Sequence, residues 1–342
     1  MRSGEWYLGY NAYDNHPGCA LTFGRRDSGI VCTTMPDTTY DDGEFGEQPL
    51  PGEDGVRWGR DYQRTATTTF ELGVDGVDAL VDRHLVRPSF GGRKLGDFEL
   101  PEWAPVTGTR ESRTMDGVAL LRQAWRADGV RRKAGRVAWL RHRAGGRTRR
   151  MYGRPREFDV VHRRLQRQGY TPVTARFVAL DDRHYDDTES VAELWAYDAF
   201  MERPGLPPWL PTVPPYLRPP QKTAGVRNAG DMATYPHITI HGPCASPQVA
   251  ITGLWTVTLG MTIPRGSYVV IDARPWIRTV VRTTGGSTAS VADKLTRSSP
   301  RLADMALPPG LWRAALSYTR TTSSTVLGPR VEIRWRHAYA SW

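Results

Sequence analysis

His237-Ile-Thr-Ile240, Val249-Ala-Ile251, Leu254-Trp-Thr-Val-Thr-Leu259, Tyr268-Val-Val-Ile-Asp272, Thr279-Val-Val-Arg282, Ala314-Ala-Leu-Ser-Tyr318 and Arg330-Val-Glu-Ile-Arg-Trp335 follow one another through the last third of the chain. Most of these pieces are rich in β-branched or aromatic residues, which fit a pleated, half-buried surface. Between them lie Gly242-Pro243, Pro264-Arg-Gly266, Gly285-Gly286 and Pro308-Pro-Gly310, residue types that favour turns. Short strands at about 8–12-residue spacing with no long helix among them predict an antiparallel β-sandwich or barrel. We read residues 228–342 as a module that assembles or binds rather than catalyses.

Upstream, residues 202–220 contain Pro204, Pro207, Pro208, Pro211, Pro214, Pro215, Pro219 and Pro220. Each proline fixes φ and lacks an N–H, which excludes helix interiors and central strands and leaves a stiff extended connector. The expected organisation is therefore a first domain over 1–203, a linker over 204–222 and the sandwich over 223–342. A chain of 342 residues suits two domains, since single cores rarely grow past about 250–300 residues.

The first domain opens as β structure. Ala20-Leu-Thr-Phe23, Gly29-Ile-Val-Cys-Thr-Thr34 and Thr65-Ala-Thr-Thr-Thr-Phe-Glu-Leu72 read as strands, with the Pro-, Gly- and acid-rich residues 36–59 as a long surface loop. Residues 88–105 are also loop-like. Val118, Leu121 and Trp125 share one face of a helix, and Asp128-Gly129 ends it. Residues 135–152 read as a hairpin turned at Gly145-Gly146. In 171–180, Val173, Ala175, Phe177 and Ala179 alternate onto one face of a further strand. The first domain is expected to be mixed, with strands around a helix.

The formal charge of +10 is concentrated: residues 110–168 hold 18 Arg or Lys against 5 Asp or Glu, and the rest of the chain 28 against 31. Arg141, Arg143, Arg147, Arg149 and Arg150 flank the predicted hairpin turn. Alternation puts Arg147 and Arg149 on one face, with Arg141 and Arg143 opposite them. Three readings stand: contacts to a neighbouring subunit, such as its acidic residues 37–53, or to another protein; the lining of a channel that attracts DNA phosphates without reading sequence; or a solvated strand face. No helix-turn-helix or finger pattern accompanies the charge, which argues against sequence-specific DNA binding.

Catalytic and metal signatures are weak. Gly-x-Ser-x-Gly, the phosphate-binding Gly-x-x-x-x-Gly-Lys and His-Glu-x-x-His do not occur. His237 and His241 stand four apart, but on a strand that spacing separates them by about 13 Å, too far to share an ion. Asp181, Asp182, Asp186, Asp187 and Glu189 could gather a hard cation, although they lack the Gly-centred spacing of a calcium loop. Cys19, Cys32 and Cys244 form no close ligand pair, and an odd count argues against a disulfide framework. No cofactor, metal or enzymatic activity is expected. The start, Met1-Arg-Ser-Gly-Glu-Trp-Tyr7, lacks an apolar signal stretch, and no apolar run approaches the about 20 residues of a membrane helix, so synthesis in a cytoplasm without membrane insertion is expected. Trp276 and Trp312, beside turn residues, are the surface candidates for stacking on a sugar; Trp255, Tyr268 and Trp335 read as core.

Several motifs carry a resemblance: Asn228-Ala-Gly-Asp-Met-Ala-Thr-Tyr-Pro236, Ile238-Thr-Ile-His-Gly-Pro243, Gly266-Ser-Tyr-Val-Val-Ile-Asp-Ala-Arg274, Leu307-Pro-Pro-Gly310 and Val331-Glu-Ile-Arg-Trp-Arg336. In this order they resemble the C-terminal domain of siphophage distal tail proteins, the phage tail-component family. Asp54-Gly-Val-Arg-Trp-Gly-Arg-Asp-Tyr62, Trp125-Arg-Ala-Asp128 and Arg149-Arg-Met-Tyr-Gly-Arg-Pro-Arg156 are similar to segments of actinobacteriophage minor tail proteins of that family. Leu311-Trp312 departs from the pattern, which has a polar residue after Pro-Gly. The resemblance implies a ring-forming, β-barrel-like α+β domain followed by a galectin-like sandwich. It implies a virion structural protein at the tail tip, a hexameric ring whose partners are the tail tube protein and a tail-tip or baseplate hub protein, with DNA passing nearby. A host cell-wall carbohydrate-binding module is the alternative.

Overall fold

The computed structural model describes residues 1–13, 16, 18–25, 28–40, 48–49, 56–57, 65–76, 109–161, 165–196, 221–319 and 329–342. The chain divides into two compact units, Met1–Asp187 with Ala340–Trp342, and Thr188–Tyr339. The proline-rich residues 204–220, the loop-like residues 88–105 and most of 36–59 lie outside the described residues.

The first unit contains β1 (Trp6–Tyr10), β2 (Cys19–Phe23), β3 (Ile30–Cys32), β4 (Asp37–Tyr40), β5 (Gln48–Pro49), β6 (Val56–Arg57), β7 (Ala66–Asp75), α1 (Arg110–Arg126), α2 (Asp128–Arg131), β8 (Ala138–Ala144), β9 (Arg147–Val160), β10 (Tyr170–Ala179) and β11 (His184–Asp186). Its main sheet runs β2-β1-β8-β9-β10-β7-β3. Gly24, just past β2, donates to Ile30 O at 2.8 Å and accepts from Cys32 N at 3.2 Å, so the two ends of this order meet and the sheet is a nearly closed barrel. Closure removes exposed strand edges.

Helix α1 begins at Thr109, whose hydroxyl accepts from Ser112 N at 3.2 Å, and runs eight residues further upstream than the apolar face alone indicates. It buries Leu120, Leu121, Ala124 and Trp125. Trp125 stands edge-on to Phe23 and Phe70 and donates its indole N–H to Arg176 O at 2.9 Å. The expected strand face Val173, Ala175, Phe177 and Ala179 is buried in this same core.

The second unit holds β12 (Ser190–Trp195), β13 (Thr223–Asn228), β14 (His237–His241), β15 (Cys244–Ile251), β16 (Trp255–Thr258), β17 (Thr262–Ile263), β18 (Ser267–Asp272), β19 (Thr279–Thr284), β20 (Ser287–Ser290), β21 (Gly310–Thr319), β22 (Arg330–Trp335) and β23 (Ala338–Tyr339). One sheet runs β12-β22-β14-β18-β19-β20 and the other β13-β21-β15-β16. Ile238, Ile240, Val269, Ile271, Val331 and Ile333 of the first sheet share one core with Val249, Ile251, Val257, Ala314 and Leu316 of the second. This is the predicted antiparallel sandwich. Strand β12 lies upstream of the proline-rich stretch yet pairs with β22 from Ser190↔Trp335 to Trp195↔Arg330, because its alternating Ala192 and Leu194 complete the sandwich core. Residues 190–195, read from sequence as part of the first domain, thus belong to the second unit.

Candidate interaction surface

The arginine hairpin forms as expected, with positive φ at Gly145 (+55°) and Gly146 (+78°) supplying the left-handed turn. Its register separates the five arginines. Arg141 pairs with Arg150 and Arg143 with Thr148, so Arg141, Arg143 and Arg150 share one face. Arg147 and Arg149 share the other, Arg149 opposite His142. The hairpin presents no single five-arginine face.

Burial divides them further. Arg150 is 8% exposed and donates to the Asp187 carboxylate, with Nε at 2.9 Å, and to Asp187 O at 3.2 Å. Arg141 reaches the same carboxylate at 2.9 Å and lies over the Tyr7 ring. Arg149 is 7% exposed and donates to Ser341 O. Beside it, Trp342 packs on Trp6, His142 and His184. Arg143 donates to Met1 O at 2.5 Å. Arg147, at the turn, is exposed. Arg149 and Arg150 are therefore part of how the first unit holds together, and the accessible charge lies elsewhere.

Part of it lines a cleft of about 620 Å³ formed by Ala119, Arg122, Gln123, Trp125, Arg126, Arg131, Arg156 and Phe158. A β-bulge builds it. Ala175 pairs with Phe158 but Phe177 with Pro155, so β9 carries an extra residue at Arg156–Glu157. Bulges bend the strand and re-aim side chains. The carbonyls of Pro155 and Arg156 are capped by Arg131, with Nη2 at 2.6 Å and Nε at 3.0 Å from Pro155 O. Burial, and then the Arg156 guanidinium, push the Arg131 pKa down. Arg126 pairs with Asp128 at 2.7 Å and sits in the last turn of α1, where a cation suits the helix dipole. Arg122 and Arg156 are exposed, and among the described residues neither guanidinium has a hydrogen-bonding or ion-pair partner. Sequence reading counted these residues in the basic stretch without singling them out. The i,i+4 spacing of Arg122 and Arg126 was the available signal.

Two of the acidic candidates are paired within the first unit. Asp181 accepts from Tyr185 Oη at 2.7 Å and lies 3.5 Å from Arg183, while Asp187 holds Arg141 and Arg150. In the second unit, Glu189 lies 3.7 Å from Arg334. Among the described residues no three His, Cys, Asp or Glu side chains form a group that could hold a metal ion. His237 and His241 project from the same face of β14, His241 beside Tyr268. Trp312 packs against the sandwich core and donates to Pro308 O at 3.0 Å, whereas Trp276 is half-buried beside Arg274. Among the described residues no helix is long and apolar enough to cross a membrane.

No protein-family model and no curated protein sequence matches this chain. Among solved structures, the chain is similar to the SPP1 Dit protein, described as a paradigm of the hub adsorption apparatus in phages infecting Gram-positive bacteria. The likeness has a TM-score of 0.47 at 12% identity and covers 97% of this chain and 98% of that one. It is also similar to a chain of the phage P2 baseplate in its activated conformation, with calcium (TM-score 0.46, 8% identity, 96% of this chain and 97% of that one) and with strontium (TM-score 0.47, 8% identity, the same coverage).

Proposed function

We propose that this chain is a structural component of a bacteriophage tail tip, a homo-oligomeric ring, hexameric by resemblance, that joins the tail tube to tail-tip or baseplate proteins. The first unit forms the ring and the second is its peripheral sandwich. The observation that supports this is the ordered motif series in both halves, together with what its residues do in the fold. Asn228 and Leu307 are hydrogen-bonded to each other, and Val331–Arg336 spans the central strand β22. Arg149–Arg156 lies within the barrel strand β9 and reaches the bulge. The protein acts by shape and symmetry, without a cofactor or a catalytic step.

A ring from one kind of chain needs a heterologous contact that closes on rotation. Native mass measurement and negative-stain microscopy of the full chain test it. Closed rings are expected, and a particle that stays monomeric at high concentration sinks the proposal. For the carbohydrate alternative, Trp276 and Trp312 are both half-buried, Trp312 against the sandwich core and Trp276 beside Arg274.

A further inference from the structure

We propose that the cleft of Arg122, Arg126 and Arg156 receives the acidic segment 41–54 of a second copy of this chain. The inference rests on the ring reading above and names the contact that would build it.

Some charge is left over after the fold has used what it needs. Arg131 is spent on the carbonyls freed by the bulge, and Arg126 on Asp128 and the helix end. Arg122 and Arg156 have no such role among the described residues, yet both line one concave site. The carboxylate of Asp128 already faces Arg126 at 2.7 Å and Arg132 at 3.9 Å, so the site is left strongly positive. Guanidiniums held together without counter-charge repel one another, and an anionic partner relieves that cost. Planar guanidinium groups are suited to taking carboxylates two oxygens at a time.

The complementary charge is present in the same sequence. Residues 41–54, Asp-Asp-Gly-Glu-Phe-Gly-Glu-Gln-Pro-Leu-Pro-Gly-Glu-Asp, carry six carboxylates and no Arg or Lys. They stand in the part of the chain that is net acidic once residues 110–168 are set aside. A segment of one copy entering a cleft of the next is a heterologous contact, the kind that closes into a ring. Electrostatic attraction of this sort also sets partner orientation.

Two measurements on the full-length chain test the inference. In the first, a fluorescently labelled peptide of residues 40–54 is titrated with the wild-type chain and with the R122E/R156E variant, each checked for native circular dichroism. Binding that weakens at least tenfold in the variant, and falls with added salt, supports it. Equal binding to both, or no binding to either, overturns it, as does tighter cleft-dependent binding of a single-stranded oligonucleotide than of the peptide. In the second, native mass is compared for wild type, R122E/R156E, and that variant with Asp41→Arg, Asp42→Arg and Glu44→Arg added. Loss of the oligomer in the double variant and its return on charge reversal support the contact. An oligomer that persists unchanged in R122E/R156E overturns the contact while leaving the ring reading standing. A wild-type chain that is monomeric throughout overturns the ring reading, and the contact between copies with it.

Discussion

Asn228 donates its side-chain amide to the carbonyl of Leu307 at 3.0 Å, across 79 residues of sequence. The same amide donates to Met232 O at 2.8 Å, and its Oδ1 accepts from Gly230 N at 3.1 Å. Leu307 is in turn bridged to Thr234 through both backbone groups, at 2.7 and 3.0 Å. Asn228, Gly230, Met232, Thr234 and Leu307 therefore form one hydrogen-bonded knot on the sandwich. Asn228 is 2% exposed, and replacing it with alanine removes its bonds to the half-buried Met232 O and Gly230 N and leaves Leu307 O with the Thr234 N–H. Asn228→Ala is expected to lower stability by about 1–3 kcal/mol, since three hydrogen bonds are lost at about 0.5–1.5 kcal/mol each and only part of that is regained from water. Asn228→Asp should be no better, because a carboxylate cannot donate to the two carbonyls. Urea unfolding followed by far-UV circular dichroism checks both; an unchanged sandwich transition would remove the knot from the account of stability.

Gly230 gives a steric counterpart. A Cβ at this position would stand 1.8 Å from the carbonyl oxygen of Ala338, a backbone atom that cannot swing aside as a side-chain end would. Met232 N also donates to Ala338 O at 3.0 Å, which holds that oxygen in place. Gly230→Ala is expected to destabilise by about 3 kcal/mol or more, in the range of severe overpacking. Gly253→Ala is the control for a different effect: nothing lies within 4 Å of its Cβ, but its φ of +84° adds backbone strain of about 1 kcal/mol. Thermal melts of the two variants should separate in that order.

Much of this fold was legible because the signal is local. Alternation along 171–180 and the turn glycines at 145–146 each follow from residues that meet their own neighbours. What was missed depends on partners distant in sequence. Strand β12 reads as part of the preceding domain until β22 is placed beside it, and the bulge at Arg156–Glu157 exists only relative to the register of β10. The arginines show the same limit. Alternation correctly put Arg147 and Arg149 on one face, but a buried arginine and an exposed one are the same letter. Arg149 is covered because Ser341 and Trp342 lie against the first unit, which no local pattern announces.

Arg150 and Arg147 therefore should behave very differently when truncated. Arg150 is buried against Asp187, whose carboxylate also holds Arg141. Arg150→Ala is expected to cost about 1.5–3 kcal/mol, the scale of losing hydrogen bonds to a charged group, since Asp187 keeps Arg141. Arg147→Ala, on the exposed turn, should fall within about 0.5 kcal/mol of wild type. Denaturant midpoints of the first-unit transition measure both. Equal effects would mean that the division between structural and accessible arginines is misplaced.

The last expectation concerns acid. His142 is 8% exposed, stacks on Trp6 at 4.0 Å and 17°, lies edge-on to Trp342, and faces Arg149 across the strand pair. Burial pushes its pKa below the ordinary 6.5, with the Glu5 carbonyl, 3.3 Å from Nδ1, opposing that shift. Because the folded value is depressed, the unfolded chain binds the proton more readily. The stabilising contribution is therefore complete above about pH 6.5 and is lost as pH falls through the lower folded value. The fall should be shallower in His142→Phe, which keeps an aromatic ring against Trp6 and has no proton to bind. His237 and His241 have pKa values lowered by burial in the sandwich, so both chains should retain an acid-dependent loss there. The informative quantity is the difference between wild type and variant in unfolding free energy, measured from pH 7.5 to 5. A difference that does not change with pH would show that His142 does not couple protonation to the stability of the first unit.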